Sequence, residues 1–226
     1  MKFIYYGHSC FAIVAGGKTL LFDPFVTPNE LAAAINVDTI SADYIFISHA
    51  HDDHMIDVVR IANRTGAKVV AAWELYEWLN KCGLKNTHPL NPGGQSVFDF
   101  GTVKSFIAQH SSSFADGSYG GVACGFAFQT KEGSFYYSGD TALTLDMQLV
   151  ADWTKLDFAI FPIGDCLTMG VEDAIKAARL VCVGAVVGVH YDTFEFITID
   201  HQSAIESFKK AGITLYLLDI GSVTEL

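Results

Sequence analysis

The sequence predicts an α/β (α+β) fold in which helices cover the outer faces of two mixed sheets. Three observations support this prediction. The first half of the chain is mostly short apolar runs with hairpin signals, whereas in the second half apolar runs alternate with amphipathic segments. Half of the 226 residues are hydrophobic, so a large core can form. Because the chain has no obvious linker or short-period repeat, one domain over residues 1–226 is expected.

Three apolar runs near the N-terminus predict an antiparallel meander. The pair Gly16-Gly17 lies between the second and third runs and is a hairpin signal. Asp23-Pro24 ends the third strand because proline cannot continue a ladder. Residues 28–35 are expected to form a short helix or an ordered loop. The three strands are predicted at residues 3–6, 11–14 and 19–22.

The same reasoning places the later elements. A helix at 56–63 is expected to end near Gly66, and one at 73–81 is stopped by Gly83. The segment 110–121 is rich in serine and glycine and is typical of a loop. Further strands are predicted at residues 44–48, 67–71, 96–98, 103–108, 122–130, 134–137, 157–161, 185–189 and 213–218, further helices at 144–153, 171–182 and 200–211, and a turn at 89–94.

Charge and cysteine content restrict the function classes. The formal net charge is −11 and the Lys and Arg residues do not cluster, which argues against a nucleic-acid or anionic-membrane partner. The five cysteines are scattered and odd in number, as expected of reduced thiols. No signal peptide is evident, and the apolar run 181–189 is too short to span a bilayer. These features predict a cytoplasmic protein that acts on a small molecule, with homo-oligomerisation left open.

The most informative stretch is the segment His49–His54, with the sequence H-A-H-D-D-H. It follows the apolar run 44–47 and precedes the amphipathic segment 55–62, so it is expected in a tight loop between a strand and a helix. Three imidazoles and two carboxylates within six residues form a dense set of nitrogen and oxygen ligands. Such ligands suit zinc, and also manganese or iron.

Three later polar residues follow predicted strands directly. His110 comes after the strand 103–108, Asp140 after 134–137 and His190 after 185–189. Rigid strand ends are where proteins place metal ligands. Together with the histidine-rich segment, these residues could complete two adjacent metal sites.

The ordered pattern resembles the metallo-β-lactamase superfamily over nearly the whole chain. Within it, the chain is similar to the small metal-dependent hydrolases of the ascorbate-6-phosphate lactonase-like, UPF0173-like branch, and more distantly to the N-acyl-phosphatidylethanolamine phospholipase D group. The pattern consists of Gly7-His8-Ser9, Phe22-Asp23-Pro24, the segment His49–His54, His110, Gly139-Asp140-Thr141, Pro162-Ile163-Gly164 and His190-Tyr191-Asp192-Thr193-Phe194.

The resemblance implies a four-layer αββα sandwich with two divalent metal ions at one edge of the sheets, zinc before manganese or iron. It also implies that Asp53 orients the nucleophile and carries a proton to the leaving group. By position, the first metal would be held by His49, His51 and His110, the second by Asp53, His54 and His190, and both by Asp140.

Four other residues are candidates for supporting roles. Asp23 is expected to accept a hydrogen bond from a ligating histidine. His8, in a Gly-His turn, is expected to contact substrate or support a ligand. Asp165 and Met169 are expected near the pocket mouth. His88 and His201 lie outside the pattern and are expected to be structural or surface residues.

The function predicted from these residues is hydrolysis of a lactone, an ester or a phosphoester of a small metabolite. The bridging position holds Asp140, whereas several true β-lactamases have cysteine there, so antibiotic hydrolysis is disfavoured. Two alternatives stay open: a mononuclear iron dioxygenase acting on persulfides, and a metal-binding protein without turnover. A flavin-linked di-iron oxygen reductase fits less well, because those enzymes have glutamate at the position of His51.

Overall fold

Two seven-stranded mixed sheets pack face to face, and helices cover their outer faces. The computed structural model describes all residues, 1–226. This is the predicted αββα arrangement. The first sheet has the strand order β14-β1-β2-β3-β4-β5-β6 and the second β13-β12-β11-β10-β9-β8-β7. The strands are β1 (Lys2–Gly7), β2 (Cys10–Ala15), β3 (Lys18–Phe22), β4 (Tyr44–Phe46), β5 (Lys68–Ala71), β6 (Thr87–Pro89), β7 (Gln95–Phe98), β8 (Gly101–Ile107), β9 (Cys124–Thr130), β10 (Ser134–Tyr137), β11 (Phe158–Pro162), β12 (Ala185–Val189), β13 (Thr214–Tyr216) and β14 (Val223–Glu225).

Six α-helices and four short 3₁₀ turns connect the strands. The α-helices are α1 (Asp52–Met55), α2 (Val58–Thr65), α3 (Trp73–Lys81), α4 (Gln148–Trp153), α5 (Val171–Leu180) and α6 (His201–Lys210). The 3₁₀ turns are Glu30–Ala32, Val37–Thr39, Leu145–Met147 and Glu195–Ile197.

The core between the sheets is aromatic. Phe22 of β3 meets Phe128 of β9 edge to face at 5.4 Å between ring centroids, and Phe46 of β4 meets Phe126 of β9 at the same distance. All four side chains are fully buried. Such edge-to-face pairs add directional contacts to the hydrophobic burial of large rings. These rings therefore pack the two sheets against each other.

Most predicted elements are present, and three differences have physical causes. The strands β6 and β14 each contain three residues and lack an apolar run, so no sequence pattern marked them. The histidine-rich segment is not only a loop, because its last residues form the single turn α1 before α2 begins at Val58. The predicted helix at 144–153 starts as a 3₁₀ turn, with the Thr144 side chain accepting a hydrogen bond from the Asp146 amide.

Strand direction brings six loops to one edge of the sandwich. In the first sheet β1, β3 and β4 run parallel to one another, and in the second sheet β8, β10 and β12 do. The carboxyl ends of parallel strands lie at the same edge of a sheet. The two edges meet where the His190 amide donates to the His8 carbonyl at 3.0 Å. Every residue predicted as a ligand follows one of these strands.

No helix has the length and apolar character needed to cross a lipid bilayer.

Candidate metal centre

The seven side chains predicted as ligands converge at this edge. Asp140 is at the middle: its Oδ2 lies 2.9 Å from His190 Nε2, 3.2 Å from His54 Nε2 and 3.8 Å from His110 Nε2. His190, His54 and Asp140 are almost completely buried. The other predicted ligands lie 30 to 91 positions from Asp140 in the sequence, so their convergence is a property of the tertiary structure.

The converging side chains divide into three overlapping groups. Within each group, one potential ligand atom from every residue lies within 4.8 Å of the others. The first group contains the three histidines predicted for the first metal, and the second contains Asp53, His54 and His190, predicted for the second. The third group shares one histidine with each of the others and contains Asp140, the residue predicted to bridge the metals. The groups are His49, His51 and His110; His8, Asp53, His54 and His190; and His49, His54 and Asp140.

Left-handed backbone aims several of these side chains. His8 has a φ of 54°, Asp23 of 38° and His190 of 56°, each just after a strand. A residue with a side chain rarely adopts this region, and doing so costs on the order of 1–3 kcal/mol. The packed sheets impose the sharp turns, and each turn directs a polar side chain away from the strand and into the cluster.

Asp23 organises the inner side of the cluster. The His54 Nδ1–H donates to Asp23 Oδ2 at 2.8 Å, and the hydroxyls of Ser48 and Tyr137 donate to the same oxygen at 2.6 and 2.5 Å. The Ser48 amide donates to Asp23 Oδ1 at 2.8 Å. Such a carboxylate fixes the imidazole ring so that the opposite nitrogen, Nε2, points outward. Asp23 was predicted to accept a hydrogen bond from a ligating histidine, and its contact with His54 agrees with that prediction.

Buried polar atoms without partners indicate that the cluster fits cations. Asp140 Oδ1 is buried and forms no hydrogen bond, and the buried His54 Nε2 forms none although Asp140 Oδ2 lies 3.2 Å away. Leaving such atoms unpaired in a protein interior costs free energy, so native structures rarely do it without a functional reason. Imidazole nitrogens and carboxylate oxygens are the donor set that zinc, manganese and iron accept. The residues present therefore fit divalent cations.

The three histidines of the first group favour the neutral form. Burial lowers the pKa of His49, and the nearby histidines add to this effect. Burial likewise lowers the pKa of His51 and of His110. A neutral imidazole is the form that coordinates a metal. The lowered pKa of all three imidazoles thus favours the form that binds metal.

The second group has a different charge distribution. Burial lowers the pKa of His190, but the carboxylates of Asp140 and Asp53 together outweigh burial and raise this pKa to about 9. The pKa of His54 is raised for the same reason. Although burial would raise the pKa of Asp53 and Asp140, the neighbouring histidines lower both well below the usual value. Ionised carboxylates thus face cationic groups, and a metal ion binding here would replace protons.

His8 lies deeper in the cluster than the sequence indicated. Its Nε2 is 3.2 Å from Asp53 Oδ2, its Nδ1 is 2.9 Å from Thr193 Oγ1, and its ring centroid is 4.1 Å from that of His190. Burial lowers the pKa of His8 to about 4. The sequence could have indicated that His8 belongs to the cluster, because His8 follows a predicted strand as His110 and His190 do.

The two residues expected at the pocket mouth are placed differently from each other. Met169 is 1% exposed and packs in the core with the buried side of α5. The expectation that its side chain lies at the pocket mouth is therefore wrong. Its amide donates to the Thr141 carbonyl at 3.0 Å, which supports the backbone beside Asp140. Asp165 is exposed and belongs to none of the converging groups.

The two remaining histidines lie outside the cluster, as predicted. His88 Nε2 is 2.8 Å from Ser96 Oγ, and the exposed His201 is 2.6 Å from Asp192 Oδ2. Six of the eight histidines therefore belong to the candidate centre.

Comparison with known proteins gives a consistent result. Residues 2–190 match the model of a beta-lactamase superfamily domain. The chain is 48% identical to a UPF0173 metal-dependent hydrolase of Flavobacterium johnsoniae over 226 residues, covering 100% of both chains, and 48% identical to one of Methylacidiphilum infernorum over 220 residues, covering 97% of both. Among solved structures it is similar to Igni18, a metallo hydrolase from Ignicoccus hospitalis, with a TM-score of 0.89, 30% identity, and coverage of 100% of this chain and 98% of that one.

Proposed function

Because the chain belongs to the UPF0173 metal-dependent hydrolases of the beta-lactamase superfamily, we propose that it uses two divalent cations to hydrolyse a lactone, an ester or a phosphoester of a small metabolite. The observation that carries this proposal is the pair of adjacent ligand groups joined by Asp140. A single-metal site would not need both groups. Zinc is the preferred cation, because most of the donor atoms are imidazole nitrogens.

The assignment of ligands follows the groups. His49, His51 and His110 would hold the first cation, while Asp53, His54 and His190 would hold the second. Asp140 would be a ligand of both, which its position 3.2 Å from His54 and 3.8 Å from His110 supports. His8 contacts Asp53 and orients that carboxylate.

The cations, when bound, lower the pKa of water from about 15.7 towards 7 and polarise the carbonyl or phosphoryl oxygen under attack. The protein's own residues position and move the protons. Asp53 is the most exposed of the carboxylates in the cluster, with 23% of its side chain accessible. From there it can accept a proton from the attacking water and deliver it to the leaving oxygen. Asp140, at 3%, is too buried for that exchange.

The experiment that tests the function combines metal analysis with a substrate panel. The purified protein is loaded with zinc, manganese or iron, its metal content is measured by elemental analysis, and it is assayed with carboxylic esters, lactones, phosphomonoesters and phosphodiesters. Two zinc or manganese ions per chain with turnover support the proposal. One iron with oxygen uptake on a persulfide would replace it with the dioxygenase, and tight binding without turnover on any substrate would leave a metal-binding protein.

A pair of variants makes the metal measurement specific. His110→Gln removes a predicted ligand of the first cation, and we expect its metal content to fall by about one ion per chain. His88→Gln removes a histidine that bonds only to Ser96, and its metal content should equal that of the wild type.

A further inference from the structure

Three phenylalanines form an apolar ledge that begins at the candidate metal centre, and Phe25, Phe194 and Phe196 define it. The Phe25 and Phe194 rings both meet the His8 ring edge to face, at 5.4 and 5.6 Å between centroids. Phe196 stacks on Phe194 at 5.7 Å with 17° between the ring planes. His8 in turn contacts Asp53, so a single imidazole ring separates the ledge from the predicted ligands.

The ledge is fixed at its inner end and open at its outer end. Phe25 is buried, and its loop is fixed by Asp57, whose carboxylate accepts hydrogen bonds from the amides of Val26 and Thr27 at 2.8 Å each. At the other end, Phe196 is 58% exposed. The exposed Phe196 ring extends the stack outward from Phe194 and offers an apolar surface on which an apolar group can pack.

The loops around the centre are also unusual in charge. The segments that carry the site residues, 8–9, 23–29, 47–57, 108–121, 138–145, 163–170 and 190–200, contain no Lys or Arg, although the chain has 14. They do contain several carboxylates, among them Asp52, Asp165 and Glu195. Like charges repel strongly where the surroundings are partly desolvated. Within these segments a phosphate group would therefore meet carboxylates and neither lysine nor arginine.

Building on the proposed function, we propose that the substrate is an uncharged carboxylic ester or lactone with an apolar group, and that this group packs on the ledge of Phe25, Phe194 and Phe196. The hydroxyl of water adds to the acyl carbon, the bond from that carbon to the leaving oxygen breaks, and the leaving oxygen takes the remaining proton of the water through Asp53. Continuity of the ledge with His8 and Asp53 identifies its occupant as part of the substrate.

The expected preference for longer acyl chains can be calculated from the free energy of transferring methylene groups out of water. Burying one methylene stabilises a complex by an amount equivalent to roughly a three- to fourfold change in affinity. Extending an acyl chain from acetyl to hexanoyl adds four methylenes, of which part would contact the ledge. We therefore expect kcat/KM to rise at least about tenfold along this series, mainly through a lower KM.

The test compares p-nitrophenyl acetate, butanoate and hexanoate with p-nitrophenyl phosphate and bis(p-nitrophenyl) phosphate, using the metal-loaded wild type and three variants. Phe196→Ala removes the exposed ring, and Phe194→Leu preserves apolar volume while removing the stack. Val97→Ala is the control, because Val97 is 78% exposed on β7 at the far edge of the second sheet. The hexanoate-to-acetate ratio should fall towards 1 in Phe196→Ala, fall less in Phe194→Leu and stay unchanged in Val97→Ala.

A binding measurement separates this inference from the proposed function. Calorimetric titration of the metal-loaded protein with hexanoate and with acetate measures how much the ledge contributes to affinity, even if no ester is hydrolysed. Tighter binding of hexanoate that is lost in Phe196→Ala would support the ledge with or without turnover. An equal ratio in wild type and Phe196→Ala, or a phosphoester hydrolysed in preference to every carboxylic ester, would overturn it.

Discussion

The imidazole of His54 and the carboxylate of Asp23 form a fully buried pair in which Nδ1–H donates to Oδ2 at 2.8 Å. The same oxygen accepts from Ser48 and Tyr137, so four side chains form one hydrogen-bonded unit behind the candidate metal centre. Since none of the four can rotate without breaking a buried hydrogen bond, His54 Nε2 is held at its position near Asp140.

Asp23→Asn is expected to weaken binding of the second cation about 10- to 100-fold, because the amide cannot accept all three hydrogen bonds and orient the His54 ring as a carboxylate does. The left-handed backbone at this position tolerates asparagine, so the fold should persist. Zinc affinity is measured by competition with a chromophoric chelator. Asp43→Asn, at a surface ion pair with Lys18, is the control, and an Asp23→Asn protein with wild-type affinity would contradict the supporting role.

Asp53→Ala is expected to reduce kcat by at least about 10²-fold at saturating metal, because positioned proton transfer contributes about 10²–10⁴-fold to catalysis. The neighbouring Asp52→Ala is the matched control: Asp52 is exposed, also lies in α1, and belongs to none of the ligand groups. Turnover and metal content are measured on the same preparations. Full turnover of a fully loaded Asp53→Ala protein would remove the proton-carrying role.

The αββα fold and the cluster were predictable because their signals are local. The strands that lead to the centre are short apolar runs, and His49, His110, Asp140 and His190 each lie within three residues of a strand end. Parallel strand direction then places their ends together. The resemblance to the superfamily supplied the grouping of ligands, which spacing alone did not determine, and the structure has the corresponding groups.

Features that depend on packing were not predictable. The strand β14 has no apolar run and exists through its pairing with β1, where Thr224 opposite Phe3 sets the register. Met169 carries no mark in the sequence that distinguishes a core side chain from one at a pocket mouth. Phe194 and Phe196 are of a residue type that is common in protein cores, and only the structure reveals that Phe196 is exposed and stacked on Phe194.

The five cysteines should divide into two reactivity classes. Cys82, Cys166 and Cys182 are exposed, whereas Cys10 and Cys124 are completely buried. Burial raises the pKa of Cys124 to about 12 and that of Cys10 further still, so neither forms the reactive thiolate as the pH rises from 7 to 9. Titration with Ellman's reagent should count three thiols in the native protein and five in guanidinium. More than three fast-reacting native thiols would contradict the packing of β2 or β9.

Gly139→Ala tests how the backbone places Asp140. Gly139 has a φ of 61°, and an added Cβ would lie 2.6 Å from the Cys124 carbonyl oxygen and 2.8 Å from Ser48 Cβ. Both neighbours belong to the junction between the sheets, where the Cys124 amide donates to the Ser48 carbonyl at 3.0 Å. The strained φ and the overlap together are expected to lower the free energy of unfolding by about 2–4 kcal/mol. The displaced Asp140 should also weaken binding of both cations, since it is the shared ligand of the proposal.

The matched control is Gly184→Ala, because an added Cβ there meets nothing within 4 Å and the residue does not have a left-handed φ. Its unfolding free energy should stay within about 0.5 kcal/mol of the wild type. Chemical denaturation of the metal-loaded and chelator-treated proteins separates the two effects. Strain in the fold lowers stability in both conditions, whereas loss of the shared ligand reduces the stabilisation that added zinc provides. If Gly139→Ala gained as much stability from zinc as Gly184→Ala does, Asp140 would not be the residue that both cations share.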